Sequence, residues 1–315
     1  MISVVLIVAY VLDECLGEPK RLHPLVGFGK VAQKIENRFY KQKGMKGIVH
    51  GALAWCLSVV PIVFACYFII SYLPLAAQWV LNSVVLYLAI GQNSLKQHGL
   101  AVYHALVSRD MTQARYATAM IVSRDTSHSD EQQLASATIE TVTENTNDAV
   151  IAPLFYFVLF GAVGVVLFRL VNTLDAMWGY RNEKYEYFGK VAARMDDILG
   201  FIPARITAVI FFLLRPDRWR STLSSILGNG RKWYSPNAGI VMAAGAGALG
   251  IQLGGNDVYH GQEKPRLTLG FGQNPNARHI KSSITLMYMA SVMFVCIVAL
   301  IEWGMRANQE GLLWP

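Results

Sequence analysis

Four stretches of this 315-residue chain, 47–73, 75–95, 149–168 and 282–301, contain no Asp, Glu, Lys or Arg. Each approaches or exceeds the roughly 20 apolar residues that a helix needs to cross about 30 Å of hydrocarbon. A fifth stretch, 198–214, is interrupted by Arg205 alone, while 1–12 is apolar but short. With no basic residues ahead of it, that start does not read as a cleavable signal. Long polar segments fall between the spans at 96–148 and 172–197, and a Gly-rich one at 215–281. The alternation predicts an all-α polytopic membrane protein with about four to six membrane-embedded helices. Amphipathic cytoplasmic helices would join them into one domain, 1–315, whose polar segments build a single site.

Composition agrees, at 53% hydrophobic and 16% charged residues with a mean hydropathy of +0.33. The formal charge of +7 raises the question of nucleic acid, but the basic residues are scattered and no platform of aromatics and arginines accompanies them. Membrane topology explains them better. Lys41, Lys43 and Lys46 precede the first long span, and Arg215, Arg218 and Arg220 follow 198–214. The positive-inside rule makes both flanks cytoplasmic. After a turn at Pro74 the span 75–95 returns the chain, so 96–148 is expected on that side too. Cys56, Cys66 and Cys296 lie in apolar stretches and no CxxC pair exists, so neither disulfides nor zinc are expected.

The chemistry gathers in three places. In "SHSDEQQLASATIETVTENTNDAV", Ser129 and Gln132 have capping-box spacing. The helix that follows would turn Ala135, Ile139, Val142 and Thr146 one way and Glu140, Glu144, Asn147 and Asp148 the other. Carboxylates one turn apart repel by roughly 3 kcal/mol at about 6 Å and an effective dielectric of ~20. Two readings fit: a solvated face, or a site for Mg²⁺ or a cationic substrate. Under the second, Glu140→Gln would spare the fold and remove the activity. Just upstream, Arg124, Asp125, Thr126 and Ser127 place a fixed cation beside hydroxyls that suit phosphate.

A second cluster runs from Asn172 and Asp175 through Arg181 and Asn182 to Arg194, Asp196 and Asp197. It reads either as ion pairs on an interfacial helix or as part of the same site. Adjacent Asp196 and Asp197 point in different helical directions, so at most one is expected on a shared metal. The third place is "YSPNAGIVMAAGAGALG", where Ser235 caps a helix that Pro236 starts, with Asn237 in the turn. Its amides would suit an anion. The recurrence of Gly239, Ala243 and Gly247 suits close helix packing.

Five ordered motifs, "LDECLGEPKRLHPLVGFGK", "RDTSHSDEQQLASATIETVTENTNDAVIAPLFY", "RLVNTLDAMWGYRNEKYEYFGKVAARMDDILGFIPAR", "SPNAGIVMAAGAGALGIQLGG" and "GQEKPRLTLG", resemble the adenosylcobinamide-phosphate synthases of cobalamin biosynthesis, the CobD/CbiB family. The resemblance implies a multi-pass enzyme of the bacterial inner membrane with its site facing the cytoplasm. It would form an amide between adenosylcobyric acid, a corrinoid, and aminopropanol phosphate, using ATP and Mg²⁺. On that reading Glu140, Glu144, Asp148 and Asp175 are the catalytic acids, and Glu140, Glu144, Asp148 and Asp196 are the metal ligands. Arg124, Asp125, Thr126, Ser127, Asn145, Asn172, Arg181, Asn182, Arg194, Ser235 and Asn237 bind substrate or phosphate. Relatives often have Val-Asp-Gly where this chain has Asn147-Asp148-Ala149, a departure that leaves Asp148 in place. Other membrane enzymes of corrinoid assembly, or further copies of this chain, are the implied protein partners.

A full crossing by 149–168 would put the second cluster on the far side from Glu140. The "GAVG" at 161–164 offers an escape, since it can break the helix into a re-entrant hairpin. The rival readings are a non-catalytic membrane sensor related to this family, and a transporter. A proton-coupled transporter would carry ionisable residues inside its spans, where Arg205 is the lone candidate.

Overall fold

The computed structural model describes residues 2–19, 23–40, 44–180, 182–259 and 262–309. In chain order the helices are α1 (Ile2–Leu16), α2 (Pro24–Phe39), α3 (Met45–Tyr72), α4 (Leu75–Ala89), α5 (Gln92–Val107), α6 (Met111–Ala119) and α7 (Glu131–Thr146). A π-helical turn, Asn147–Ile151, leads into α8 (Ala152–Trp178), then α9 (Lys190–Leu214), α10 (Trp219–Leu227) and α11 (Ala238–Leu249). A hairpin of β1 (Asn256–Tyr259) and β2 (Gln262–Pro265) precedes α12 (Ala277–Gln309). Apart from that hairpin, the π turn and short 3₁₀ turns, the regular structure of the described residues is α-helical. Among the described residues, five helical stretches are long and apolar enough to cross a membrane: Met45–Tyr72, Leu75–Val107, Glu131–Trp178, Lys190–Leu214 and Ala277–Gln309. On α3, Leu57, Phe64, Phe68 and Ile69 are exposed, a surface that water would penalise and lipid accepts. The chain is a polytopic membrane protein, as its hydrophobic pattern predicts.

By internal contact the chain forms two compact units. One compact unit comprises Met1–Gly91, Ala152–Gly200 and Val298–Pro315; the other comprises Gln92–Ile151 and Phe201–Ile297. The boundaries at 151/152, 200/201 and 297/298 fall within helical stretches, where no linker composition marks them.

In the first unit, α2, α3 and α8 share a core of Phe28, Ala54, Trp55, Leu174 and Trp178, to which Phe188 adds from the loop before α9. The break expected at 161–164 is present, because Gly161 has φ +60° and ψ −151° inside α8. Only glycine holds that conformation without strain. Twelve residues of straight helix would separate Tyr156 from Phe168 by about 18 Å. Their rings instead stack at 5.2 Å, so the chain folds back at Gly161. Asn82 of α4 braces the bend by accepting a hydrogen bond from Ala162 N at 2.9 Å.

In the second unit, α7 starts one residue later than Ser129 and Gln132 suggest. The capping box is made by Asp130 and Gln133: Gln133 N donates to Asp130 Oδ1 at 2.8 Å, and Asp130 N donates to Gln133 Oε1 at 3.0 Å. A carboxylate accepts from a helix N-terminus more strongly than a hydroxyl, because it also meets the helix dipole. The small residues of α11 serve packing. A Cβ on Gly239 would strike Trp233, one on Gly247 would strike the Thr222 backbone, and Ala243 packs toward Gly230. A Cβ on Gly245 would come within 2.6 Å of Thr143 Cγ2, which sets how closely α11 approaches α7.

Candidate functional site

From Leu134 to Ile151 only Thr141, Glu144, Asn145, Asp148 and Ala149 are partly exposed, and every other residue is buried. Their spacing of three and four marks one narrow stripe along α7 and the π turn. The helix is therefore not amphipathic in the manner its sequence suggests. Glu140 and Asn147, expected on the open face, are among the buried residues. Burial of the whole circumference is what packing by α5, α6 and α11 of the same unit imposes on α7.

Glu140 is 3% exposed and its two oxygens accept five hydrogen bonds. Arg266 grips it as a fork, Nη1 to Oε2 at 2.9 Å and Nη2 to Oε1 at 3.0 Å. Arg124 Nη2 adds a bond to Oε2 at 2.7 Å. Ser136 Oγ and Gly254 N complete the set on Oε1 at 3.1 and 2.9 Å. A buried carboxylate is stable only when so paired. The segment after α11 delivers two of these donors, because Leu253 and Leu269 exchange backbone hydrogen bonds at 2.8 Å and thereby hold Gly254 and Arg266 in place. Trp233 lies under the Arg266 guanidinium, 5.5 Å from ring centre to Cζ.

This geometry corrects the role expected of Glu140. Its lone pairs are committed to two guanidinium groups, so it fits the task of holding arginines and not that of ligating a metal. Glu144 and Asp148 are different: both are partly open on the same stripe, one turn apart. Asn147 orients the second of them, donating from Nδ2 to Asp148 Oδ1 at 2.7 Å while its Oδ1 accepts from Thr207 Oγ1 at 3.0 Å. A π turn is a common device for aiming side chains at a site. Asn145 Nδ2 donates to Thr141 O at 3.0 Å.

The neighbouring hydroxyls are less available than the sequence suggests. Thr126 is buried and donates to Arg115 O at 2.9 Å, and Ser127 Oγ donates to Asp125 Oδ1 at 2.7 Å. A bond from Ser127 N to the same oxygen at 2.9 Å, together with the hydroxyl's, holds the exposed Asp125 carboxyl below its ordinary range. Ser235 Oγ accepts from Asn237 N and Ala238 N at 3.4 and 3.2 Å, so this helix start caps itself. Asn237 Oδ1 accepts from Arg205 Nη1 at 2.6 Å, which gives the charge inside the 198–214 span a local structural partner.

The second cluster belongs to the first unit. On α8 and α9, Asn172 Nδ2 donates to Asp196 Oδ1 at 3.2 Å. Asp196 and Asp197 both stand close enough to Asp175 for their charges to act on it. Arg194 pairs with Asp197 at 3.8 Å. Asn182 Oδ1 accepts from Tyr185 N at 3.0 Å in the loop between the helices. Arg181 lies outside the described residues. Thus Glu140, Glu144 and Asp148 fall in one unit, and Asp175, Asp196 and Arg194 in the other.

Sequence reasoning missed three residues of weight. Arg266 stands inside a quoted motif but was given no role there. Ser136 lies one turn before Glu140, a spacing that could have flagged it. Glu36, 1% exposed, accepts from Trp178 Nε1 at 3.0 Å, Tyr185 OH at 3.0 Å and Lys184 Nζ at 2.6 Å. That last bond raises the Lys184 pKa above its ordinary value, and the three together anchor the loop before α9 to α2. Among the described residues, no three of His, Cys, Asp or Glu are grouped to enclose a metal by themselves.

The family profile described as CobD/Cbib protein matches residues 6–287. Cobalamin biosynthesis protein CobD of Stutzerimonas stutzeri is 48% identical over 295 residues, covering 94% of this chain and 96% of that one. The protein of the same name from Chromobacterium violaceum is 46% identical over 286 residues, covering 89% and 90%. A probable cobalamin biosynthesis protein CobD of Pyrococcus furiosus is 38% identical over 306 residues, covering 94% and 98%. No solved structure matches.

Proposed function

Since the chain belongs to the CobD/Cbib family of cobalamin biosynthesis, we propose that it is the membrane ligase that joins adenosylcobyric acid to (R)-1-aminopropan-2-ol O-phosphate. The observation that carries the reading is the arginine pair fixed on buried Glu140 beside two partly open carboxylates. Phosphoryl transfer asks the protein mainly for positioning and for neutralisation of phosphate charge. Arg124 and Arg266, held in place by Glu140, supply fixed positive charge for phosphate oxygens. Glu144 and Asp148 fit Mg²⁺, which takes one or two carboxylates alongside water and phosphate; when bound, it neutralises charge on the nucleotide.

In the proposed reaction a carboxylate oxygen of the corrinoid attacks the γ-phosphorus of ATP, giving an acyl phosphate and releasing ADP. The ammonium of the second substrate gives one proton to water, the neutral amine attacks the acyl carbon, phosphate leaves, and the nitrogen releases its second proton to the medium as the amide forms. Asp175, Asp196 and Asp197 lend the first unit negative charge that attracts a cationic amine substrate. Detergent-solubilised protein supplied with both substrates, ATP and Mg²⁺ is expected to yield adenosylcobinamide phosphate and ADP, read by mass spectrometry of the corrinoid. Omission of Mg²⁺ is expected to stop turnover, and EDTA to do so reversibly. Condensation without nucleotide would overturn the acyl-phosphate route. Absence of any amide product would overturn the enzyme assignment in favour of a sensor.

The membrane is the bacterial plasma membrane on this reading, with the site facing the ATP of the cytoplasm. Lys46 in the first turn of α3, and Arg215, Arg218 and Arg220 after α9, support that orientation. Cysteines introduced at exposed positions of 108–113 and 182–187 are expected to resist impermeant maleimide in intact cells and to react in inverted vesicles. Reaction in intact cells at both places would reverse the orientation.

A further inference from the structure

The loop before α9 and the first turns of that helix enclose a cavity of about 230 Å³, lined by Gly179, Tyr180, Tyr185, Glu186, Gly189, Lys190, Ala193, Arg194 and Asp197. Both signs of charge face it. Lys190 and Arg194 supply the positive side, and Glu186 and Asp197 the negative. Arg194 and Asp197 pair with each other at 3.8 Å. The side chains of Glu186 and Lys190 have no hydrogen-bond or ion-pair partner among the described residues. The walls are held firmly: Tyr185 is tied to buried Glu36, and Gly179 N donates to Asp175 O at 2.6 Å. A Cβ on Gly179 would overlap the Asp175 carboxyl, so the acidic cluster of α8 and α9 stands directly behind that wall.

We propose that this cavity binds the small zwitterionic substrate, an amino-alcohol phosphate, with Lys190 and Arg194 on the phosphate and Glu186 on the ammonium. The inference rests on the ligase reading for the identity of the molecule, and on the cavity alone for its place. The volume equals about eight waters at ~30 Å³ each, which suits a three-carbon amino-alcohol phosphate and excludes a corrinoid. A lining with both signs of charge suits a ligand that carries both, and it disfavours a nucleotide, whose several negative charges would meet Glu186 and Asp197.

Titration calorimetry on the detergent-solubilised chain tests it, with 1-aminopropan-2-ol O-phosphate, isopropyl phosphate, which lacks the amine, and inorganic phosphate as probes. The aminated compound is expected to bind at least tenfold more tightly than the other two. Glu186→Gln is expected to erase that preference while leaving isopropyl phosphate unchanged, and Lys190→Gln to weaken both organic phosphates at least tenfold. Wild-type affinity in both variants, or competitive displacement by ADP with Mg²⁺, would overturn the proposal. Amide formation with an unaltered KM for the amine in both variants would remove this cavity from the reaction and leave the ligase reading standing. The expected binding pattern without any amide formation would do the reverse.

Discussion

Replacing Glu140 with Gln is expected to destabilise the protein by about 3–5 kcal/mol and to abolish turnover. The substitution leaves the guanidinium groups of Arg124 and Arg266, with side chains 9% and 12% exposed, facing each other without the carboxylate that both grip. Breaking a buried ion pair by removing one partner costs that much, because the remaining charge stays desolvated. The Gln amide can still accept at one oxygen, but its NH₂ faces donors. Thermal unfolding in detergent should show a clear drop in melting temperature. Converting the triad to apolar residues, Arg124→Met with Glu140→Leu and Arg266→Met, is expected to regain most of the stability and none of the turnover. A Glu140→Gln protein that melts with wild type would sink the assignment. This outcome has the opposite sign to the one the sequence suggests, where removal of an acid relieves repulsion between exposed carboxylates.

Asp175→Asn is expected to act the other way on the fold. Asp175 is half-buried and shares its surroundings with Asp196 and Asp197, so three like charges compete in a space that water reaches only in part. Neutralising one removes repulsion on the order of 1 kcal/mol, and the melting temperature should hold or rise. Turnover should fall at least tenfold, chiefly through a higher KM for the amine, because the acids that attract its ammonium are weakened. A protein that is both less stable and fully active would show that the cluster is a structural ion-pair network. The two substitutions together separate acids that hold the fold from acids that the fold holds against their mutual repulsion.

Much of the architecture was legible because its signals are local. The charge-free runs give the spans, since a helix rise of about 1.5 Å per residue against a fixed hydrocarbon thickness leaves little choice of length. "GAVG" gives the fold-back in α8, since Gly161 alone accommodates φ +60° and ψ −151°. The cap of α7 was misplaced by one residue, because Ser129 and Asp130 carry the same local signal and only the backbone path chooses between them. Five ordered motifs carried the family without any knowledge of how they pack.

The contacts that define the sites were decided by tertiary structure. Helical spacing places Glu140 on a face, but its burial depends on Arg266, 126 residues away, and on a loop whose strand-like bridges carry Gly254 to the same carboxylate. Glu36 reads as one more acid on an amphipathic helix until Trp178, 142 residues on, donates to it. The division into two units is equally invisible locally, since it crosses α9 and α12 without a change of composition. Periodicity and hydropathy fix which residues form a helix and how deep it can sit in a bilayer. Whether a charged side chain meets water, lipid or a guanidinium depends on what the rest of the chain brings to its open side.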